Sequence, residues 1–205
     1  VLRWNKRIDQ HIDFQQSKNW APIAGDGELT NKTLVILGYG GIGSQVAKLG
    51  KAFGMRVTGI RRNPQDDEHA DEVLGLDRFE ELLPLTDYLV LSLPDSPQTR
   101  DIINADILEK LSNSAMIINV GRGTAINEED LSDALNGEKI AAAALDTTKV
   151  EPLDASSSLW TAKNCFISAH DSAHSLLSLE RAFELFFQNI KNIKNGDQIV
   201  NLYSE

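Results

Sequence analysis

The stretch KTLVILGYGGIG, residues 32–43, decides the fold. Its apolar run predicts a buried strand, and the segment GIGSQVAKLGKAFG at its end places apolar side chains at helical spacing. Gly38, Gly40 and Gly43 stand in the spacing G-x-G-x-x-G. That spacing is weak on its own, but directly after a strand and at the start of a helix it is typical of a dinucleotide-binding turn. The simpler alternative is a glycine turn that only connects a strand to a helix.

Each glycine has a physical role in such a turn. Gly38 allows the tight turn, Gly40 lets a pyrophosphate approach the backbone, and Gly43 lets the helix pack closely against the strand. Gly41 and Ile42 lie in the first helical turn, where unpaired N–H groups and the helix dipole favour an anion. We therefore expect these five residues to bind the phosphates of a dinucleotide.

The next predicted strand runs into VTGIRRNP, residues 57–64, with two arginines where such a unit commonly carries an acid. Arg61 lies eighteen positions beyond Gly43. An acid there accepts a hydrogen bond from a ribose 2′-hydroxyl, whereas a guanidinium binds a 2′-phosphate through charge-assisted hydrogen bonds. Arg61 and Arg62 therefore predict NADP as the cofactor, with NAD as the second possibility. The alternative is that the arginines face solvent or pair with the acids at 66–68.

Short apolar runs alternate with helical patterns along most of the chain, which predicts an α/β fold with a Rossmann-type doubly wound parallel sheet. The charge run DDEHADE, residues 66–72, is interpreted as a solvated loop or the start of a helix. The first 30 residues lack the alternation and predict a polar helix that carries Trp4 and Trp20 and packs against another surface. We expect a long closing helix that ends at Gly196. The predicted division is an arm at 1–30, a nucleotide-binding domain at 31–175 and a C-terminal segment at 176–205.

The composition argues against several classes of protein. A formal net charge of −10 argues against a nucleic-acid partner, because nonspecific binding of nucleic acid depends on cationic surface. No run approaches the roughly 18–20 apolar residues of a membrane helix, so no membrane partner is expected. Cys165 is the single cysteine, which fits a reducing compartment and leads us to expect a cytoplasmic protein.

Three later stretches carry chemistry, and each begins at the carboxyl end of a predicted strand, where an open α/β sheet binds its ligands. They are NVGRGTAINEEDL at 119–131, ALDTTKVEPL at 144–153 and FISAHDSAH at 166–174. Together they supply one fixed cation, one acid and one titratable base. These candidates are Arg122, Glu151 and His170.

This set suits the reduction of a 2-oxo acid. Arg122 would bind the substrate carboxylate and polarise the neighbouring carbonyl. His170 would protonate the carbonyl oxygen as hydride arrives, or remove that proton in the reverse direction. A carboxylate bonded to such a histidine fixes its tautomer and favours its charged form. The open alternatives are a surface role for Arg122, a loop role for Glu151, and a metal pair formed by His170 and His174.

These stretches, together with GYGGIG, resemble the D-isomer-specific 2-hydroxyacid dehydrogenase family from about residue 20 to the C-terminus. The N-V-G-R-G element of the family is intact, which implies that Arg122 binds substrate and that Val120 and Gly121 lie beside the cofactor. Its L-D-x-x-x-x-E-P element is also matched, which implies that Glu151 pairs with the catalytic histidine and that Asp146 contacts the nicotinamide carboxamide.

The segment LPDSPQTRDIINADIL resembles the family's loop beside the adenosine half of the cofactor and implicates Pro94 and Thr99. The arginine at position 61 resembles the NADP-using glyoxylate and hydroxypyruvate reductases of this family. One departure is Ala169, which stands before His170 where the family usually has proline.

Family members have a second, flavodoxin-like domain that closes over the substrate, and that domain is expected to be largely absent here. The resemblance therefore implies a single nucleotide-binding domain with negligible catalysis unless the rest is supplied. The N-terminal arm resembles the element that embraces a partner subunit, which implies a homodimer, with a monomer as the alternative. Glyoxylate, hydroxypyruvate and bulkier 2-oxo acids, with the matching 2-hydroxy acids, stay open as substrates.

Two other classes of protein share this scaffold. One is a dinucleotide-sensing corepressor, which does not need the full set of Arg122, Glu151 and His170. The other is a dehydrogenase of the same family that oxidises a different hydride donor, such as phosphite or formate. Formate enzymes carry a distinctive motif around the histidine, and ISAHDSAHS does not match it.

Overall fold

The computed structural model of the chain describes residues 1–23 and 27–201. The strands are β1 (Thr33–Leu37), β2 (Arg56–Ile60), β3 (Glu72–Leu74), β4 (Tyr88–Leu91), β5 (Met116–Asn119), β6 (Ala142–Leu145) and β7 (Cys165–Ile167). They form one parallel sheet in the order β3-β2-β1-β4-β5-β6-β7. The chain runs outward from β1 to β3 and then returns to place β4 on the other side of β1. The predicted doubly wound sheet is confirmed.

The helices among the described residues are α1 (Leu2–Asn5), α2 (Ile8–Gln16), α3 (Gly41–Ala52), α4 (Phe79–Leu82), α5 (Ala105–Lys110), α6 (Glu128–Asn136) and α7 (Ser178–Asn195). Helix α3 contributes to one core cluster of the sheet, and α5 and α6 contribute to the other. Successive residues of β1 alternate between two core clusters, with Val35 in one and Ile36 in the other. The inner strands are therefore buried on both faces, which explains why their sequences are continuous apolar runs.

The sequence does not predict the edge strand β3, and its charge run does not start a helix. Glu72, the last residue of that run, begins the strand, and Val73 is its one buried residue. The strand forms because its backbone pairs with β2, and because the Asp71 carboxylate accepts the Val57 N–H at 2.8 Å. A three-residue strand with one buried side chain has no period from which it can be predicted.

The single N-terminal helix predicted from the sequence is in fact two helices, α1 and α2. Arg7 lies between them with a φ of 48°, in the left-handed region that interrupts a helix. The amide of Asn5 is buried and donates to the Tyr88 hydroxyl at 3.0 Å. Arg3 lies 4.1 Å from the centroid of the Phe166 ring. The start of the arm therefore packs on the same domain, against residues of β4 and β7.

The chain divides into two compact units, Val1–Ala169 and His170–Glu205. The first unit contains the sheet and α1 to α6. The second contains α7, which ends at Gly196 in the left-handed conformation with φ 75°, as its sequence predicts. No helix among the described residues is long and apolar enough to span a membrane. The domain boundaries predicted from the sequence stay a prediction.

Candidate functional site

The turn between β1 and α3 is held by contacts that require glycine at two positions. Gly38 has a φ of 101°, and a Cβ there would lie 2.7 Å from the backbone carbonyl carbon of Ser92, the residue after β4. The Ser92 hydroxyl donates to the Gly38 carbonyl at 2.8 Å. A Cβ on Gly43 would lie 2.8 Å from that same carbonyl oxygen. The turn is therefore clamped between β1, α3 and the end of β4.

The start of α3, in contrast, faces open space. Apart from the adjacent residues and the nearby backbone of α3, no atom of the described residues lies within 4 Å of the position that a Cβ would occupy on Gly40 or Gly41. Gly40 is the N-cap and offers no side chain, so the first helical bond runs from the Ser44 N–H to its carbonyl at 2.9 Å. The N–H groups of the first turn, which includes Ile42, therefore have no intrahelical acceptor. This arrangement fits a pyrophosphate, because the donors, the helix dipole and the space coincide.

The end of β2 lies beside this turn, because the Gly38 and Tyr39 N–H groups both donate to the Ile60 carbonyl, at 3.0 and 2.8 Å. Arg61 follows and is partly buried, and Arg62 is exposed. Neither arginine has a nitrogen within 4.0 Å of a carboxylate oxygen of the described residues. The two arginines therefore form no ion pair with the acids at 66–68 within that distance.

Tyr39 is a residue of this site that the sequence does not reveal. It occupies a variable position of the glycine motif, yet it is only 3% exposed. Its ring lies on Gly59, where an added Cβ would be 2.3 Å from Cδ2. Burial and the nearby Asp67 carboxylate raise the pKa of Tyr39 to about 12, an effect that positive Arg61 partly offsets. A glycine in the middle of β2 was the available signal, because glycine in a strand often marks a close approach.

The loop after β4 is closed by its own side chains. The Thr99 hydroxyl donates to the Pro94 carbonyl at 2.8 Å and accepts the Ser96 N–H at 3.0 Å. Asp95 accepts hydrogen bonds from Arg100 at 3.2 Å and from the Thr124 hydroxyl at 2.9 Å. The loop that carries Pro94 and Thr99 is thus fastened to the loop that follows β5.

Asn119 is the second residue of the site that the sequence does not reveal, although it begins the motif that contains Arg122. Its side chain is fully buried at the end of β5. The amide donates to the Arg122 carbonyl at 3.0 Å and accepts the Gly121 N–H at 3.0 Å. Val120 N–H donates to the Leu91 carbonyl at 3.0 Å. These bonds fix the backbone that carries Arg122, so the exposed guanidinium projects from a rigid loop.

The loops after β5 and β6 touch through their backbones. A Cβ on Gly123 would lie 2.0 Å from the Thr148 carbonyl carbon, so nothing larger than glycine fits there. Glu151 accepts the Thr148 N–H at 3.0 Å, and Glu128 accepts the Lys149 N–H at 2.5 Å. These contacts therefore fix the loop with Arg122 relative to the loop with Glu151.

Asp146 directly follows β6, and its carboxylate is buried. The Ser168 hydroxyl donates to its Oδ1 at 2.6 Å, and its own N–H donates to the Asn119 carbonyl at 2.9 Å. A buried carboxylate of this kind is stabilised by such donors. Asp146 is accordingly tied to both neighbouring strands, β5 and β7.

His170 belongs to the second unit and is its first residue. It stands three positions beyond Ile167, the end of β7, and its side chain is exposed. Its φ is 54°, a left-handed value that is uncommon outside glycine. No group of three His, Cys, Asp or Glu side chains that could hold a metal ion occurs within 1–23 and 27–201.

Comparison with known proteins identifies the family of this domain. The model of the NAD binding domain of D-isomer specific 2-hydroxyacid dehydrogenases matches residues 1–172. The human glyoxylate reductase/hydroxypyruvate reductase is 37% identical over 176 residues, which cover 83% of this chain and 53% of that protein.

Solved structures show the same relationship. A D-isomer specific 2-hydroxyacid dehydrogenase family protein from Aeromonas salmonicida superposes with a TM-score of 0.89 at 32% identity, covering 99% of this chain and 64% of that chain. An NADPH-dependent glyoxylate/hydroxypyruvate reductase from Sinorhizobium meliloti, solved in complex with NADP and sulfate, gives 0.87 at 26% identity and covers 99% and 65%. The present chain thus spans between half and two thirds of the length of these relatives.

The glycine turn generates a prediction that separates folding from binding. Gly40→Ala should change the free energy of unfolding by less than about 1 kcal/mol, because its methyl group enters open space and only the cap preference changes. The same methyl group occupies the approach of a pyrophosphate, so binding of NADPH should weaken at least about tenfold, or roughly 1.4 kcal/mol. Urea unfolding and a fluorescence titration with NADPH measure the two effects.

Gly38→Ala is the matched control. It should lower the free energy of unfolding by roughly 2 kcal/mol or more, because it combines a strained φ with a backbone clash. Unchanged NADPH binding by the Gly40→Ala variant would contradict the assignment of this turn.

Proposed function

This chain belongs to the D-isomer specific 2-hydroxyacid dehydrogenase family, and on that premise we propose that it is the NADP(H)-binding part of an oxidoreductase for small 2-oxo and D-2-hydroxy acids. The observation that carries the proposal is the open start of α3, with Arg61 at the adjacent end of β2 and no ion pair within 4.0 Å among the described residues. A dinucleotide with a 2′-phosphate has an anion for each of these places: its pyrophosphate for the start of α3 and its 2′-phosphate for Arg61.

The preference for NADP over NAD rests on charge at the end of β2. Arg61 and Arg62 are two cations on a chain with a formal net charge of −10, so they form a local positive spot. Guanidinium groups bind phosphate with charge-assisted hydrogen bonds, whereas a ribose 2′-hydroxyl gains less from them. NAD stays the second possibility, because the glycine turn itself does not distinguish NAD from NADP.

The proposed chemistry is the transfer of hydride between the cofactor and carbon 2 of the acid, and the bound NADP(H) supplies or accepts that hydride. Arg122 binds the substrate carboxylate and polarises the carbonyl, a role supported by the buried Asn119 amide that fixes its loop. His170 gives or takes the proton of the substrate oxygen. Glu151 takes the family's role of carboxylate partner to that histidine. Asp146 takes the role of contact to the nicotinamide carboxamide.

The remaining cofactor contacts follow from loop position. Pro94 and Thr99 lie in the loop after β4, and Val120 and Gly121 lie in the loop after β5, all at the carboxyl edge of the sheet. Ligands of doubly wound sheets bind outside this edge. We propose that these four residues border the bound dinucleotide.

We also propose a homodimer that forms through the N-terminal arm. Trp20 is fully exposed, and Ile8 and Ile12 of α2 are 42% and 45% exposed, so the arm presents apolar surface to solvent. Exposed apolar patches commonly mark protein interfaces. We expect sedimentation equilibrium to give twice the monomer mass, and Trp20→Ser to shift the population towards monomer. A single species of monomer mass at micromolar concentration would contradict this proposal.

We propose a cytoplasmic location because Cys165 is the single cysteine of the sequence, which fits a reducing compartment. Burial, with a further contribution from Glu128, raises the pKa of this thiol to about 11, so it stays protonated and slow to oxidise. The negative net charge supports neither a nucleic-acid partner nor an anionic membrane surface.

The cofactor proposal predicts a clear preference in a binding experiment. Calorimetric titration at one fixed salt concentration should show NADPH binding at least about tenfold more tightly than NADH. Arg61→Ala should remove most of that preference, because a charge-assisted hydrogen bond contributes roughly 1.5–3 kcal/mol. Arg56→Ala is the matched control, since Arg56 is an exposed arginine at the other end of the same strand.

Equal affinity for the two cofactors in the wild type, or an equal effect of the two variants, would contradict a 2′-phosphate site at Arg61. Binding of neither cofactor would contradict the function as a whole.

Catalysis is expected to need more than this chain, because the chain covers only 53–65% of the relatives compared above. The 205-residue protein should bind NADPH yet oxidise it negligibly with glyoxylate or hydroxypyruvate. Closure that excludes water is part of such chemistry. Absorbance at 340 nm measures the rate, and robust turnover by this chain would contradict the expectation.

A further inference from the structure

The carboxylate of Asp146 is held by a serine that follows the neighbouring strand. Leu145 and Ile167 are the last paired residues of β6 and β7, so Asp146 and Ser168 each stand one position beyond that pair. The Ser168 N–H donates to the Leu145 carbonyl at 2.9 Å, which fixes the serine backbone. Its hydroxyl donates to Asp146 Oδ1 at 2.6 Å. Both residues belong to the unit Val1–Ala169, so this bond forms within one compact unit.

This bond limits how the buried carboxylate can turn. Asp146 is only 6% exposed, and the torsion that rotates the plane of a carboxylate is broad by itself. A distance of 2.6 Å is typical of charge-assisted O–H···O⁻ bonds, which are about twice as strong as neutral ones. An ionised carboxylate has about four acceptor positions. The Ser168 hydroxyl therefore fixes the plane of the group and leaves it able to accept further hydrogen bonds.

The order of the strands places Asp146 on the nicotinamide side of the proposed cofactor. Helix α3 follows β1, and Arg61 follows β2 on one side of it. A dinucleotide with its pyrophosphate at α3 and its 2′-phosphate at Arg61 extends its other half across β4, β5 and β6. Asp146 lies three strands from β1 along this edge, about 14 Å at the usual strand spacing. Its N–H donates to the carbonyl of Asn119, whose amide fixes the loop of Arg122.

We propose that Ser168 is a positioning residue for the nicotinamide and that it acts through Asp146. By fixing the plane of the carboxylate, the serine directs an acceptor at the carboxamide N–H groups of the bound nicotinamide, and it thereby sets the orientation of the ring. Ser168 needs no contact of its own with cofactor or substrate. This inference rests on the proposed binding of NADP(H) and on the proposed contact between Asp146 and the carboxamide.

The test compares NADPH with 2′-phospho-ADP-ribose, a fragment that keeps the 2′-phosphate and the pyrophosphate but lacks the nicotinamide. The measured quantity is the dissociation constant of the fragment divided by that of NADPH, from calorimetry at one fixed salt concentration. In Ser168→Ala this ratio should fall about three- to tenfold, because a hydrogen bond to the nicotinamide is misaligned. Affinity for the fragment should stay within about twofold of the wild type, which also shows that the variant is folded.

Ser156→Ala is the matched control. The Ser156 hydroxyl donates to Asp154 Oδ1, also at 2.6 Å, but both of these residues are exposed in the loop after β6. The ratio for this variant should stay within about twofold of the wild type. Ser168→Thr should also keep the ratio, because it keeps the hydroxyl that donates to Asp146. In an Asp146→Ala background, Ser168→Ala should lower the ratio no further, because the serine acts only through that carboxylate.

An unchanged ratio in Ser168→Ala would overturn the inference, and so would an equal loss of affinity for NADPH and for the fragment. A fall in Ser168→Thr as large as in Ser168→Ala, or a further fall in the Asp146→Ala background, would do the same. A wild-type ratio close to one would also overturn it, because the nicotinamide would then add nothing to binding. In all these cases NADPH binding and its dependence on Arg61 would remain, so the proposed function would stand. A wild type that binds neither ligand would overturn both.

Discussion

The close approach of the Gly38 backbone to the backbone of Ser92 is the constraint on which the site depends. Strands β1 and β4 pair as far as Leu37 and Leu91, and the chain turns away immediately beyond both residues. Any side chain on Gly38 would push the two strands apart at that point. Because they stay together, α3 begins at the edge of the sheet, and its first N–H groups face the crevice at the switch point. The backbone contact that lets the two strands pack together therefore also positions the anion site.

Close backbone contacts also fix the loops after β4, β5 and β6 along the edge of the sheet. A Cβ on Gly121 would lie 2.8 Å from the Leu93 backbone, and one on Gly123 would lie 2.0 Å from the Thr148 backbone. Each loop is therefore locked to its neighbour by backbone contact. The backbone that carries the exposed Arg122 is therefore fixed, and its guanidinium donates to the Gly121 carbonyl at 2.8 Å. The cations at this edge stand out on an acidic protein, which favours small anionic ligands.

The features that the sequence predicts are those with local signals. The strand and helix around the glycine turn, the inner strands and the stop at Gly196 all follow from continuous apolar runs, helical spacing or a single capping residue. The features it does not predict depend on partners that are distant in the chain. Tyr39 is buried because Gly59 receives its ring, and β3 forms because β2 offers its edge. Whether Arg61 forms an ion pair with a neighbouring acid depends on distances of a few ångströms, which composition cannot supply.

The central claim is that one cofactor spans the start of α3 and the end of β2, and a crystal structure of this chain with NADP⁺ tests it most directly. We predict pyrophosphate oxygens at about 3 Å from the first N–H groups of α3, and the 2′-phosphate at about 3 Å from the Arg61 guanidinium. A dinucleotide bound elsewhere would contradict the claim. So would a 2′-phosphate that points to solvent while Arg61 pairs with Asp67.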